Sequence, residues 1–113
     1  MIKNEISFED FLRLDIRTGR IERVEVFEKA LKPAYKVWVD FGDKIGVLKT
    51  SAQVTECYQP IDLIGMNVLG LLNLPSKQIA DFKSEFLMLG LYTAEGVVLV
   101  SPNKNAKPGD ILG

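Results

Sequence analysis

Tyr35-Lys36-Val37-Trp38-Val39-Asp40-Phe41-Gly42-Asp43-Lys44 decides the fold. Tyr35, Val37, Val39 and Phe41 alternate with Lys36, Trp38 and Asp40, the period of two that a half-buried strand requires. The residues from Phe41 to Lys44 read as a tight turn into a third strand over 45–50, so the two runs predict an antiparallel hairpin. Trp38 stands apart. It lies on the polar side of the hairpin, where a large ring serves as an interface residue or a pocket wall.

Upstream, residues 16–27 read as one long strand whose alternation slips, because Ile21 is out of phase with Val24 and Val26. A slip of this kind predicts a bulge, which bends and twists a strand as a closed barrel needs. Before it, Ser7 caps a short helix in which Phe8, Phe11 and Leu12 form one apolar stripe. So short a helix must pack on something, either the end of its own barrel or the seam of a dimer.

Downstream, Pro60 and Gly65 bound a single helical turn, and residues 67–73 read as a buried fourth strand. Residues 74–78 read as a loop, and 86–92 with 96–101 as a final hairpin across Thr93-Ala94-Glu95. Ile111 and Leu112 close a polar tail and offer a means of tying it to a partner surface. Five to seven short strands, with turns about every 10 residues and no helix long enough for a crossover, predict an all-β small barrel.

The length of 113 residues predicts a single domain over 1–113, and 47% hydrophobic residues suffice for one core. The first residues lack the apolar core of a signal peptide and no run reaches membrane-spanning length, so a cytoplasmic protein without membrane insertion is expected. Cys57 is the sole cysteine and reads as a reduced, partly buried thiol.

Histidine is absent, which removes the commonest general base, the Ser-His-Asp and Cys-His nucleophile systems and the commonest zinc ligand. Glu22 with Glu25, and Asp81 with Glu85, read as solvated charge. No phosphate loop, dinucleotide fingerprint or metal-spaced cluster occurs. The expectation is a binding protein and not an enzyme, with no cofactor and no metal.

The net charge is −1, so any grip on RNA must come from a local basic patch. Basic residues recur at Arg17, Arg20 and Arg23, at Lys29, Lys32 and Lys36, and at Lys77 and Lys83. Tyr35 and Trp38 flank Lys36, and Phe82 precedes Lys83, a pairing of cations and rings that suits single-stranded nucleic acid.

Asp15-Ile16-Arg17-Thr18-Gly19-Arg20-Ile21 resembles the opening strand of the structure-specific tRNA-binding domain family. That family includes free-standing tRNA-binding proteins, extensions of some methionyl-tRNA synthetases and an EMAP-type cytokine domain. Lys32-Pro33-Ala34-Tyr35-Lys36-Val37-Trp38-Val39-Asp40-Phe41-Gly42 resembles its CsaA branch, where the wider family carries His-Pro-x-Ala-Asp. Ser51-Ala52-Gln53, Leu63-Ile64-Gly65, Asn73-Leu74-Pro75, Lys77-Gln78-Ile79 and Ser84-Glu85-Phe86-Leu87-Met88-Leu89-Gly90 follow in that branch's order.

The resemblance implies a five-stranded oligonucleotide-binding (OB) barrel with a capping helix, a homodimer built through the terminal segments, and tRNA binding. For the CsaA branch it also implies a chaperone role on unfolded export proteins and a link to the secretion machinery. Asn73 and Ser84 match two positions of the family's RNA face, but the Gly-Met of its Ser-x-Gly-Met motif is Phe86-Leu87 here.

Two functions are therefore expected from this sequence. The first is a tRNA-binding module with Arg17, Lys36, Lys77 and Lys83 on phosphates and Asn73 and Ser84 on the RNA face. The second is a chaperone that takes unfolded peptides in a groove lined by Trp38, Phe86 and Leu87. Phe8, Phe11, Leu12 and Ile111 are the expected dimer contacts. A third possibility, a purely structural module of a synthetase, has no direct support in the residues.

Overall fold

The computed structural model describes residues 1–113. Nine short strands follow a five-residue helix, α1 (Phe8–Leu12): β1 (Ile16–Val26), β2 (Tyr35–Asp40), β3 (Val47–Ala52), β4 (Asn67–Leu71), β5 (Lys77–Ile79), β6 (Phe82–Ser84), β7 (Leu87–Met88), β8 (Gly90–Thr93) and β9 (Gly96–Leu99). A single helical turn, α2 (Pro60–Leu63), lies between β3 and β4. Five strands form one antiparallel sheet in the order β3-β2-β1-β4-β7, and β5-β6 and β8-β9 are separate hairpins.

The slip in β1 shapes the sheet. Ile16 to Arg20 pair with β4 and Arg20 to Val26 pair with β2, with the register shifting between Ile21 and Arg23. One strand thus serves two neighbours through two differently oriented halves, and the sheet curls. Residues 84–86, leading into β7, close the gap to β3 through a backbone bond from the Glu85 amide to the Lys49 carbonyl at 2.8 Å and through side chains. The Ser51 amide donates to Ser84 Oγ at 3.0 Å, the Lys49 amide to Glu85 Oε1 at 3.0 Å, and Thr50 Oγ1 to the Phe86 carbonyl at 2.8 Å. The result is a nearly closed five-stranded barrel of the OB type.

Inside, Ile21, Val37, Val39, Phe41, Leu63 and Val68 are fully buried. Phe41 meets Phe86 edge-on with centroids 4.9 Å apart. Two glycines make room for that ring: a Cβ on Gly70 would lie 2.8 Å from Phe41 Cζ, and one on Gly19 would lie 2.5 Å from Val39 Cγ1.

Three expectations need correction. The connection after Phe41 is longer than a tight turn, because Gly46 donates to the Gly42 carbonyl and accepts from the Phe41 amide; the third strand therefore starts at Val47. The loop expected at 74–78 ends in a strand, since Lys77 pairs with Ser84 and Ile79 with Phe82 around Ala80-Asp81. The run expected over 86–92 is divided, β7 pairing with β4 and β8 with β9.

Ala80 carries a φ of +52°, a conformation that costs a residue with a Cβ roughly 1–2 kcal/mol. Ala80→Gly is expected to stabilise the protein by about 0.5–1 kcal/mol, less than the full strain because glycine loses more entropy on folding. A rise in Tm of a few degrees in a thermal melt checks it.

The two ends of the chain behave differently. Ser7 caps α1 as expected, its Oγ accepting from the Asp10 amide at 3.0 Å, yet no residue of the helix is buried. Phe8 is 71% exposed and Leu12 60%, so the helix does not plug its own barrel. The tail, in contrast, runs along its own β1: Ile111 bridges Arg17, Thr18 donates to the Asp110 carbonyl, and Leu112 donates to the Ile16 carbonyl. It lies beside the end of β1 that β2 does not reach.

Candidate nucleic-acid interface

The outer face of β1, β2 and β3 carries a small second apolar cluster. Trp38 projects there because it alternates with Val37 and Val39, and the β5-β6 hairpin folds over it. Phe82 meets Trp38 edge-on at 5.9 Å and Phe27 at 5.4 Å, and Phe27 and Phe82 are buried.

Cations surround these rings. Arg23 and Lys49 flank Trp38 on the neighbouring strands, and Lys36 lies one step along the same face. Arg23 Cζ stands 4.4 Å from the Trp38 ring centre. Lys36 Nζ is 5.0 Å from Phe27 and 5.2 Å from Phe82, and Lys49 Nζ is 5.0 Å from Phe82. Each lies within the roughly 6 Å over which a ring face attracts a cation.

The hairpin tip is tied to the β1-β2 connection by Lys29 and Asp81, 2.9 Å apart. The hydrogen bond from Lys29, and then its charge, hold the Asp81 carboxyl below the usual carboxylate range; Lys29 is raised for the same reasons. Because the Asp81 value is lowered by folding, the pair stabilises the fold above the ordinary carboxylate range and loses that contribution as pH falls through the lowered value. Both groups are exposed, so the contribution is small. Lys29→Ala is expected to move the Asp81 titration back up in a carboxyl NMR titration.

On the other side of the same hairpin an open cleft of about 940 Å³ runs between the end of β3 and β7-β8. Lys77, Ser84, Phe86 and Leu87 line it, together with Ala52, Val54, Leu74 and Tyr92.

The expected site residues are therefore split among several places. Lys36 and Trp38 belong to the cationic face, and Lys77, Ser84, Phe86 and Leu87 to the cleft. Lys83 alternates with the inward Phe82 and Ser84 and points into solvent. Arg17 sits in the other half of β1, bonded to Asp15 at 2.7 Å beside the tail.

Asn73 is engaged in the chain's own structure. Its Oδ1 accepts from the Asp15 amide at 2.9 Å and its Nδ2 donates to the Arg13 carbonyl at 2.7 Å, fixing the exit of α1. Ser84 Oγ is likewise bonded to Ser51. The groove drawn from Trp38, Phe86 and Leu87 does not exist as one surface, because Phe86 faces the core against Phe41 while Trp38 faces outward. Phe86 and Leu87 reach the cleft, and only Leu87, 47% exposed, offers it much surface.

Lys49 and Arg23 complete the cationic face. Arg23 was visible as one of a basic run, but Lys49 had no signal of its own. Only its register opposite Trp38 reveals it.

A nearly closed barrel with cations outside and rings beneath them defines a small binding module of the OB class. The chain matches the family described as a putative tRNA binding domain over residues 16–111, and it belongs to that family. It is 34% identical to the methionine–tRNA ligase of Methanococcoides burtonii over 111 residues, which are 97% of this chain and 16% of that one. It is 35% identical to the ligase of Archaeoglobus fulgidus over 107 residues, 95% of this chain and again 16% of the relative. The chain thus spans about a sixth of these ligases.

Among solved structures, the CsaA chaperone protein from Picrophilus torridus superposes with a TM-score of 0.93 at 44% identity, covering 96% of this chain and 100% of that one. The chaperone CsaA from Bacillus anthracis gives 0.90 at 41%, covering 97% and 100%. The resemblance carried by the ordered motifs therefore holds for both the family and its CsaA branch.

Proposed function

We propose that this chain is a non-catalytic RNA-binding module for tRNA or similarly structured RNA, acting as one domain in the cytoplasm. The match to the tRNA-binding domain family over nearly the whole chain carries the reading. The cationic face supports it, because it places basic side chains on one surface of a protein with net charge −1. Lys36, Lys77 and Lys83, disposed about the β5-β6 hairpin, are assigned to phosphates, with Arg17 as an outlying contact. Ser84 supports this surface as framework through Ser51, and Asn73, matched to the family's RNA face, holds the exit of α1. No helix is long and apolar enough to cross a membrane.

A mobility-shift titration with tRNA tests the reading. Affinity is expected to fall by about 0.7–0.9 log units per phosphate contact for each tenfold rise in salt. No shift at low salt would refute RNA binding.

The cleft favours a second reading, in which unfolded export proteins bind along Leu87 and its apolar neighbours, and the similarity to two CsaA chaperones supports a chaperone role. Leu87→Asn is then expected to abolish protection of an aggregating substrate while leaving tRNA binding intact. Phe8, Phe11, Leu12 and Ile111 are assigned to a homodimer seam, since the stripe of α1 has no partner within the chain.

A further inference from the structure

We propose that Arg23, Lys36 and Lys49 form one phosphate-binding site that reads the phosphodiester backbone of RNA and leaves its bases unread. The inference deepens the RNA-binding reading above and rests on it.

Three cations from three adjacent strands converge on one set of rings. Cross-strand neighbours stand roughly 5 Å apart, so Arg23 and Lys49, on either side of Trp38, have backbones about 10 Å apart. Like charges at this separation repel only weakly in water, and a phosphate set among them attracts all three. Arg23 has Glu25 as an ion-pair partner. Lys36 and Lys49 have none: the chain's ion pairs are Arg17 with Asp15, Arg23 with Glu25, and Lys29 with Asp81. The acids beside them are otherwise engaged: Glu25, opposite Lys36 in the strand register, pairs with Arg23. Glu85 accepts from the Lys49 backbone amide, and Asp81 is hydrogen-bonded to Lys29.

The rings determine what the cations read. Single-strand binders stack bases on exposed aromatic faces. Here Phe27 is 2% and Phe82 5% exposed, and the half-buried Trp38 already carries the Arg23 guanidinium 4.4 Å from its ring centre. The rings hold the cations in place, and the two buried phenyl rings offer bases no face to stack on. Cations fixed over rings lose less side-chain freedom when an anion arrives, which favours binding. Phosphate oxygens, shared by every nucleotide, fit such a site.

The test uses the full chain with end-labelled tRNA, and fluorescence anisotropy between roughly 50 and 200 mM salt. Arg23→Gln, Lys36→Gln and Lys49→Gln are each expected to lower affinity on the order of threefold to tenfold and to reduce the salt slope by about 0.7–0.9. The triple variant should reduce the slope by about 2 to 3. Lys104→Gln, in the exposed tail, should change neither. Single-stranded polyadenylate and polyuridylate of equal length should compete within about twofold of each other, because stacking on the protein contributes little.

Unaltered slopes in the Lys36 and Lys49 variants, with thermal melts matching the parent, would overturn the site. So would a strong preference for polyadenylate, or displacement of tRNA by polyglutamate at equal charge. If the parent chain itself fails to bind tRNA, the RNA reading falls. If it binds while the variants keep its slope, only this site falls.

Discussion

Phe41→Ala is expected to cost about 3–5 kcal/mol, the range for removing a fully buried phenyl ring. Phe41 is 1% exposed and touches Phe86, and β1 and β4 each give up a side chain, at Gly19 and Gly70, to admit it. For a domain of this size that loss is a large part of the total stability. Gly70→Ala attacks the same contact from the other side. Its Cβ would lie 2.8 Å from Phe41 Cζ and 2.9 Å from Phe86 Cδ2, an overpacking that costs about 1–3 kcal/mol. The two changes are expected not to add, because the new methyl occupies space the lost ring has vacated. Urea unfolding of both singles and the double measures the coupling, and simple additivity would show that the ring and the glycines are independent.

Phe82→Ala is the second large effect, and it should be local. Phe82 is the part of the β5-β6 hairpin buried against Trp38 and Phe27, outside the main core. Truncation is expected to remove up to about 3 kcal/mol from the hairpin while the barrel persists. Hydrogen exchange should then accelerate in residues 77–84 with little change in β1, β2 and β4. Affinity for tRNA should fall severalfold, since Lys36 and Lys49 both lose the ring that holds them in place and must be ordered on binding. Uniform acceleration across the chain would mean that the hairpin is part of the barrel's cooperative unit.

Much of the architecture could be read from the residues, and what escaped follows a pattern. Period-two alternation in β2 and the phase slip at Ile21 are consequences of burial, which leaves a direct trace in side-chain order. Register leaves none. A four-residue turn at 41–44 would have set Trp38 against Val47, while the longer connection through Gly46 sets it against Lys49. A shift of two residues keeps every side chain on its proper face and changes only its neighbours, so the hydrophobic pattern cannot detect it. That is why Lys49 was missed.

Lys77-Gln78-Ile79 was hidden for another reason. Its turn, Ala80-Asp81, lacks the glycine or asparagine that marks such turns. The functional residues suggested by resemblance fared unevenly because hydrogen-bond partners are a property of three dimensions. Asn73 and Ser84 sit where the motif order puts them, yet both spend their polar atoms on their own chain.

The bridge between Arg17 and Ile111 means that the barrel begins and finishes at neighbouring points on its surface. Such a module can be spliced into a longer polypeptide, or appended to one, without pulling the host's flanking segments apart. It also predicts that a circular permutant joining the two ends, reopened at the tip of the β8-β9 ribbon, keeps its shape. A domain with this geometry is easily passed from one protein to another, which suits a fold that occurs within ligases about six times its own length.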